Sequence, residues 1–118
     1  MSERYLEAEV RQVPGAAIVD LRGEIDSFSE NELNAAYAKA SEGDPDVILL
    51  NFSGVHYINS TGIALIVVLL AKARASRRRL VACGLSDHYV EIFNITRLSD
   101  FMGMFPDEES ALKDSAAS

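Results

Sequence analysis

The stretch Asn51-Phe-Ser-Gly-Val-His-Tyr-Ile-Asn-Ser-Thr-Gly-Ile-Ala-Leu-Ile66 links two apolar runs through a short polar turn. The run before it, Val47 to Leu50, is too short for a helix and follows Asp-Pro-Asp, which is typical of a strand buried on both faces. The run after Gly62 continues into helix-forming residues as far as Arg79. Residues 59–62 supply hydroxyl and amide groups, which bond the unpaired N–H groups at a helix start. The stretch therefore predicts a strand, a tight turn and a helix.

Alternation and turn signals predict the other elements. Leu6, Ala8 and Val10 share one side of a predicted strand over 5–13, and Pro14-Gly15 turns the chain into a second strand over 16–21. Further strands are predicted at 80–84 and 101–105, and helices at 30–40, at 86–96 and from 106 onward. Two strands followed by alternating strands and helices predict an α/β fold with a mixed sheet and helices packed on it.

Size and charge limit the kinds of function. The chain has 118 residues, 48% of them hydrophobic and 25% charged, which predicts one globular domain over 1–118 with a disordered tail at 115–118. The formal net charge of -7 argues against a nucleic-acid partner, because phosphate backbones are bound by clustered basic surfaces. Cys83, the one cysteine, cannot form an internal disulfide, which fits a cytoplasmic protein.

No segment predicts targeting or membrane insertion. The first ten residues include acids where a secretory signal has an apolar segment. The longest apolar run, Ile63 to Ala71, is far shorter than the roughly 20 residues that cross a bilayer. We therefore expect this run to lie in the core or at an interface.

Candidate chemical groups are few. His56 and His88 lack a nearby acid and nucleophile in any recognised order, and no glycine loop of a phosphate-binding type is present. No Cys/His spacing for zinc occurs. The sequence predicts a protein that is not an enzyme and uses no cofactor or metal. The cluster Arg77 to Arg79 is interpreted as a helix end facing water, with a partner contact as the alternative.

The turn before the predicted helix leaves two interpretations open. Its hydroxyls either cap the helix and do nothing more, or lie beside a docking surface. The first two helical turns are apolar on all sides, with one stripe and a second set elsewhere: Ile63, Ile66, Val67 and Leu70, then Leu65, Val68 and Leu69. A phosphoryl group on Ser60 would lie at a helix N-terminus, which tolerates negative charge, and would alter the affinity of a partner.

Several segments, taken together and in order, resemble the STAS domain, and within it the small free-standing anti-sigma factor antagonists. The segments are Gly23-Glu-Ile-Asp26, Ile48-Leu-Leu-Asn-Phe-Ser-Gly-Val55, Ile58-Asn-Ser-Thr-Gly62, Phe93-Asn-Ile-Thr-Arg-Leu98 and Phe105-Pro-Asp-Glu-Glu-Ser-Ala-Leu112. The similarity covers nearly the whole chain. One position departs from the family pattern, because Asn59 stands where phosphorylated antagonists commonly carry Asp.

The resemblance implies a fold, a partner and a site. The fold would be a mixed sheet of four to five strands with about four helices packed mainly on one face. The partner would be an anti-sigma factor with serine kinase activity, bound by the unphosphorylated protein and released after phosphorylation of the turn serine. By position that phosphoacceptor is Ser60, with Thr61 as second choice. The resemblance places the partner contact at seven residues: Asp26, Ser27, Asn59, Ser60, Thr61, Gly62 and Ile63.

Two other functions compete with this one. The chain could serve as a STAS interaction or scaffold module without phosphorylation, in a signalling or lipid-transport complex, and Asn59 is the residue that favours this alternative. A small-ligand or nucleotide-binding domain is the third hypothesis, and it lacks a phosphate-binding glycine loop. The apolar patch could also serve a homodimer.

Overall fold

Five strands and four helices follow one another in the computed structural model, which describes the backbone of residues 5–117 and the side chains of 5–114. The strands are β1 (Glu7–Val13), β2 (Ala16–Ile25), β3 (Val47–Ile58), β4 (Arg79–Cys83) and β5 (Gly103–Phe105). The helices are α1 (Glu30–Ser41), α2 (Ser60–Ala75), α3 (Asp87–Ile95) and α4 (Glu108–Ala117). The strands form one sheet in the order β1-β2-β3-β4-β5. β1 pairs antiparallel with β2 and the other pairs are parallel, so the predicted mixed α/β sheet is confirmed.

The two faces of the sheet are covered by different helices. Ile48, Leu50 and Phe52 point to the face on which α1, α2 and α3 pack, and the ring of Phe93 meets that of Phe52 edge to face. Leu49 belongs to the opposite face, in the apolar cluster that includes Ala111 of α4. This arrangement confirms helices packed mainly on one face. It also explains the continuous apolar run in β3, since both of its faces are buried.

The side chains of β1 follow the predicted alternation. Leu6 is buried and Ala8 and Val10 are half-buried, whereas Glu7 and Glu9 are exposed. α1 packs against β1 on one face of the sheet, and the side chains of Glu7 and Glu9 point to the other face, where they meet water. The period-two pattern in the sequence therefore gives the correct inward face.

β3 is longer than the strand predicted at Val47 to Leu50, because it continues to Ile58. Its second half pairs with the second half of β2, where Val55 lies opposite Gly23 and Ile58 opposite Ile25. Pairing with a neighbouring strand thus keeps extended a segment whose glycine and serine suggest a loop. The longer strand carries the chain directly into the start of α2.

α2 is shorter at its end than the helix predicted as far as Arg79. It ends at Ala75, and Arg77 adopts a left-handed conformation with a φ of 60°. Arg79 is instead the first residue of β4. Charge at a helix end is a weaker constraint on the boundary than the pairing of β4 with β3.

The last elements also differ in their bounds from the prediction. Residues 98–100 form a 3-10 turn, and β5 covers 103–105 rather than 101–105. α4 begins at Glu108, after Pro106 and Asp107, and extends to Ala117. Of the tail predicted at 115–118, the helix includes 115–117, and Ser118 lies outside the described residues.

A cluster of ion pairs joins α4 to the first two strands. Arg11 on β1 contacts Asp20 on β2 and Glu108 on α4, each at 2.6 Å. The Arg11 guanidinium lowers the pKa of the Asp20 carboxyl, which also accepts a hydrogen bond from Asn51 at 3.1 Å. The cluster fixes the first turn of α4 over the sheet.

Candidate functional site

The start of α2 is held by a side-chain cap. Asn59 has an extended backbone, and its side-chain oxygen accepts a hydrogen bond from the N–H of Gly62 at 2.8 Å. The first backbone bond of the helix runs from the N–H of Ile63 to the carbonyl of Asn59 at 3.0 Å. The amide therefore caps the helix, whereas the sequence left the cap open between an amide and two hydroxyls. Ser60 is the first helical residue.

Ser60 and Thr61 are exposed at this helix end. Their N–H groups precede the regular hydrogen bonds of the helix, so they lie at the positive end of the α2 dipole. Such a helix end stabilises negative charge placed on it. The two predicted acceptor hydroxyls are thus open to solvent in a setting that favours an anion.

The end of β2 locks the start of α2 in place. The N–H of Asn59 donates to the carbonyl of Ile25 at 3.1 Å. A Cβ on Gly62 would collide with that same carbonyl oxygen, so glycine is required for close approach of helix and strand. On the other side, the N–H of Ile58 donates to the hydroxyl of Tyr89 on α3 at 2.9 Å. The start of α2 is therefore held by hydrogen bonds and close packing against both β2 and α3.

Asp26 shapes the neighbouring turn. Its carboxylate accepts a hydrogen bond from the N–H of Phe28 at 2.9 Å, and the hydroxyl of Ser29 accepts one from the N–H of Asp26 at 2.9 Å. This reciprocal pair folds residues 27–29 into a 3-10 turn that lies against α2. Asp26 thus has a structural role, whatever it contributes to a partner.

The structure brings the seven predicted contact residues to one end of the sheet, with different exposures. Ser27, Ser60 and Thr61 are exposed; Asp26, Asn59 and Ile63 are half-buried; Gly62 is buried. A partner can reach the first group directly. The buried glycine serves packing.

Phe28 is a surface residue that the sequence analysis missed. Its side chain is 83% exposed, although a phenylalanine is normally buried. A signal is present in the sequence, because a single aromatic stands among Asp26, Ser27 and Ser29, directly before the helix predicted at 30–40. A large exposed aromatic beside a helix start is a common anchor for a protein partner.

The outer side of α2 is apolar as well. Val67 and Val68 are 44% and 47% exposed, and Ala64 and Ala71 are also exposed. Their spacing from Ser60 is four, seven, eight and eleven residues, which places them below it on one side of the helix. We call Ala64, Val67, Val68 and Ala71 the α2 stripe. Other helices therefore leave part of this apolar helix uncovered.

The inward side of α2 takes residues from both apolar sets noted in the sequence. Ile66 and Leu70 of the first stripe are buried while Val67 of the same stripe faces solvent, and Leu69 with Ala73 completes the buried side. Since the first two turns of the helix are apolar on all sides, the periodicity of the sequence does not indicate which side faces the core. The sheet beneath it makes that choice.

The other candidate groups lie in ordinary settings. His56 is exposed and 3.5 Å from the carboxylate of Glu24, and His88 packs on the ring of Tyr89. Cys83 is buried, and burial, with smaller effects of Glu108 and other acids, raises the pKa of its thiol to about 11. Among the side chains that the structure describes, no three His, Cys, Asp or Glu residues converge as metal ligands do.

None of the helices in the described part of the chain is long and apolar enough to cross a bilayer.

Comparison with known proteins gives consistent matches. Residues 7–111 match the family model of the STAS domain. The anti-sigma-B factor antagonist of Staphylococcus aureus is 31% identical over 84 residues, which are 71% of this chain and 78% of that protein.

Solved structures share the fold. The unphosphorylated form of the anti-sigma factor antagonist SpoIIAA superposes with a TM-score of 0.71 at 18% identity, covering 95% of this chain and 99% of that one. The phosphorylated form of SpoIIAA from Bacillus gives a TM-score of 0.70 at 20% identity, covering 92% and 99%. At such identities these likenesses establish the fold.

Proposed function

Since the chain belongs to the STAS domain family, we propose that it is an anti-sigma factor antagonist whose binding is switched by phosphorylation of Ser60. The proposed partner is an anti-sigma factor with serine kinase activity, bound in the cytoplasm while Ser60 is unmodified. The Staphylococcus relative carries the name of an anti-sigma factor antagonist, and the fold is that of a protein solved in phosphorylated and unphosphorylated forms.

One observation carries the proposal. The exposed hydroxyl of Ser60 stands at the first position of α2, directly above the α2 stripe, with Phe28 on the adjoining turn. A partner that covers these apolar side chains must also cover Ser60 or pass close to it. The affinity of the partner would therefore respond to the charge on that one residue.

The chemistry requires little of this protein. The Ser60 oxygen forms a bond to the γ-phosphorus of ATP, the bond to the leaving ADP oxygen breaks, and the hydroxyl proton passes to a base of the kinase. The product adds about -1.5 to -2 charges at the positive end of α2, where backbone N–H groups stabilise it. The fold thus remains intact, while the partner meets repulsion and a desolvation cost at the edge of an apolar contact.

Asn59 fits this proposal as a structural equivalent of the family aspartate. Either side chain presents an oxygen that can accept the Gly62 N–H, so the cap is kept. Only the negative charge beside Ser60 is absent. A neutral neighbour reduces the repulsion that a phosphoserine would meet, and it changes what a kinase recognises next to its acceptor.

The same residue supports a second candidate function. A STAS scaffold module needs no acceptor, and the neutral Asn59 suits a surface that is never phosphorylated. Such a module would use the α2 stripe and Phe28 for a permanent contact, with another protein or with a second copy of the chain.

Phosphorylation in the presence of a kinase separates the two functions. We would incubate the protein with ATP and each ATPase-type serine kinase encoded in its own genome, and locate phosphate by tandem mass spectrometry. The proposal expects phosphate on Ser60, loss of kinase binding in Ser60→Asp, and retained binding in Ser60→Ala. Ser76→Asp is the matched control, because Ser76 is exposed at the other end of the same helix.

The contrary result is equally clear. No phosphate on Ser60 or Thr61 with any kinase, together with equal partner binding by wild type and Ser60→Asp, would refute the switch and favour the scaffold module. Size-exclusion chromatography with light scattering would then show whether the partner is a second copy.

A further inference from the structure

We propose that a cleft at the far end of α2 binds an acidic peptide segment of a partner protein. The cleft holds about 360 Å³ and lies between the last turns of α2, the start of β4 and residues 99–103. Its walls include Leu70, Arg74, Arg78, Val81, Phe101 and Met102. We call it the basic cleft. α2 has 16 residues and spans about 24 Å, so the basic cleft is remote from Ser60 and the proposal is independent of the Ser60 switch.

Positive residues are concentrated in the segment that leads from α2 into β4, beside the cleft. Five of the eleven Lys and Arg residues fall between positions 72 and 79, in a chain with a formal net charge of -7. A cluster of cations that are not all paired with acids attracts anions to one place on an otherwise acidic surface.

Two of these arginines have structural partners. Arg78 donates to Asp44 at 2.8 Å and to the carbonyl of Pro45 at 3.0 Å, and its side chain is 13% exposed. Arg79 pairs with Asp114 of α4 at 3.4 Å. Arg78 thus holds the loop before β3, and Arg79 contacts the last helix. The presence of these two cations is explained by contacts within the protein and needs no ligand.

Arg74 is not accounted for in this way. Its guanidinium lies over the ring of Phe101, 5.3 Å from the ring centre, and within residues 5–114 it has no described ion pair. Phe101 itself is 57% exposed. The acid in the same wall, Asp100, already pairs with Arg97 at 2.7 Å. A guanidinium that lies over an exposed aromatic ring thus stands in the wall of the cleft, where a ligand can reach it.

Arg77 adds an exposed positive charge at the end of the helix. It occupies the left-handed position after the helix end, with a φ of 60°, and the N–H of Arg78 closes the motif on the carbonyl of Ala73 at 2.8 Å. Glycine is the favoured residue at this position, because a side chain is strained there. Arg77 therefore places a cation at a position where the left-handed backbone conformation favours glycine.

The setting favours carboxylates over phosphate. The C-terminal end of α2 carries the negative pole of the helix dipole, which opposes a compact dianion, and Asp100 adds a further negative group. Single carboxylates spaced along a peptide can pair with separate guanidinium forks instead. The exposed ring of Phe101 would contact an apolar side chain of the same peptide.

The test is an NMR titration of the full chain with three probes. These are an end-capped octapeptide of six glutamates and two leucines, the same peptide with lysines in place of glutamates, and inorganic pyrophosphate. We expect the acidic peptide alone to shift the amide signals of residues 70–81 and 98–103, and not those of 59–64. Its affinity should fall as salt is raised from low ionic strength, since salt screens exposed charges.

Variants make the test independent of folding. Arg74→Gln and Phe101→Ala should each weaken peptide binding at least about threefold, a loss typical of one exposed charge or ring contact. Arg77→Gly removes a charge and relaxes the backbone, so weaker binding with an unchanged or higher melting temperature cannot be attributed to unfolding. Arg22→Gln, an exposed arginine on β2, is the control and should bind the peptide as wild type does.

Three results would overturn the proposal. Pyrophosphate shifting the same amides while the acidic peptide does not would assign the cleft to a phosphate ligand. No response to either probe would leave the cleft without an anion site. A concentration-dependent dimer that Arg74→Gln abolishes, with no peptide binding, would identify the occupant as a second copy of this chain.

Discussion

The side-chain oxygen of Asn59 lies 2.8 Å from the backbone nitrogen of Gly62 and closes the first turn of α2. Capping of the helix and the proposed acceptance of a phosphoryl group are therefore carried by two different residues of the same turn. Asn59 holds the helix, and Ser60 is left free of that task.

Substitution of Asn59 tests this division. We expect Asn59→Ala to lower the free energy of unfolding by about 1 kcal/mol, the usual cost of losing a helix cap. Asn59→Asp should be as stable as wild type or more stable by about 0.5 kcal/mol, because a carboxylate keeps the acceptor and interacts well with the helix dipole. Urea denaturation at pH 7 measures both. Ser60→Ala should change stability by less than about 0.5 kcal/mol, and a loss equal to that of Asn59→Ala would make the hydroxyl the true cap.

Gly62→Ala should destabilise the protein although alanine is the better helix former. A Cβ at this position would collide with the carbonyl of Ile25, and we expect a loss of about 2 kcal/mol, as for other overpacked sites. Intrinsic helix propensity alone predicts a gain of about 1 kcal/mol. Ala64→Gly, at an exposed position of the same helix, is the matched control and should cost about 1 kcal/mol. A stabilised Gly62→Ala would show that β2 can move away from α2.

Asp20→Asn should reduce the loss of stability in acid. The Arg11 guanidinium lowers the pKa of Asp20 in the folded state, so this carboxylate stabilises the fold above its ordinary pKa near 3.9. That contribution is lost as the pH falls through the lowered value. At pH 7 the free energy of unfolding of wild type should exceed that of Asp20→Asn by about 1 kcal/mol. This difference should shrink below about pH 4.

Urea midpoints measured from pH 7 down to pH 2.5 provide the comparison. Asp46→Asn, at an exposed aspartate before β3 and outside the Arg11 cluster, is the control substitution. An Asp20→Asn profile parallel to wild type would mean that the Arg11 cluster contributes nothing to acid sensitivity.

Phe28→Ala and Val67→Ser should weaken partner binding while leaving the fold unchanged. Phe28 is 83% and Val67 44% exposed, so stability should change by less than about 0.5 kcal/mol in Phe28→Ala and by no more than about 1 kcal/mol in Val67→Ser. An aromatic anchor in an interface commonly contributes about 2 kcal/mol, which predicts a loss of affinity of about thirtyfold for Phe28→Ala. Isothermal titration calorimetry with the kinase found by the phosphorylation assay measures the change. Ile95→Ala is the control, since Ile95 is 72% exposed at the end of α3.

Local patterns in the sequence were sufficient for elements with clear periodicity and end signals. The helix predicted at 30–40 differs from α1 by one residue, because its acids, its buried stripe and the following Gly43 and Pro45 agree with one another. β1 and its inward face were likewise readable from alternation. The mixed sheet followed from the order of these elements.

Boundaries set by tertiary contacts were not readable in this way. β3 extends eight residues beyond Leu50 because β2 pairs with it, and that pairing partner is distant in the sequence. α2 shows the same limit, since its first two turns are apolar on all sides and give no periodic sign of which side the sheet will cover. Consequently the sequence indicates a docking surface near Ser60 and offers a signal for Phe28 in its polar neighbours, but the outward direction of Val67 depends on the tertiary structure.

The locked junction between Ile25 and the start of α2 has a consequence for timing. Because these contacts fix the backbone around Ser60, a phosphoryl group there would change the surface that a partner meets without a slow conformational change of the fold. The duration of any signal would then depend on two rates that this fold does not set, namely the rate of dephosphorylation and the rate at which a bound partner dissociates.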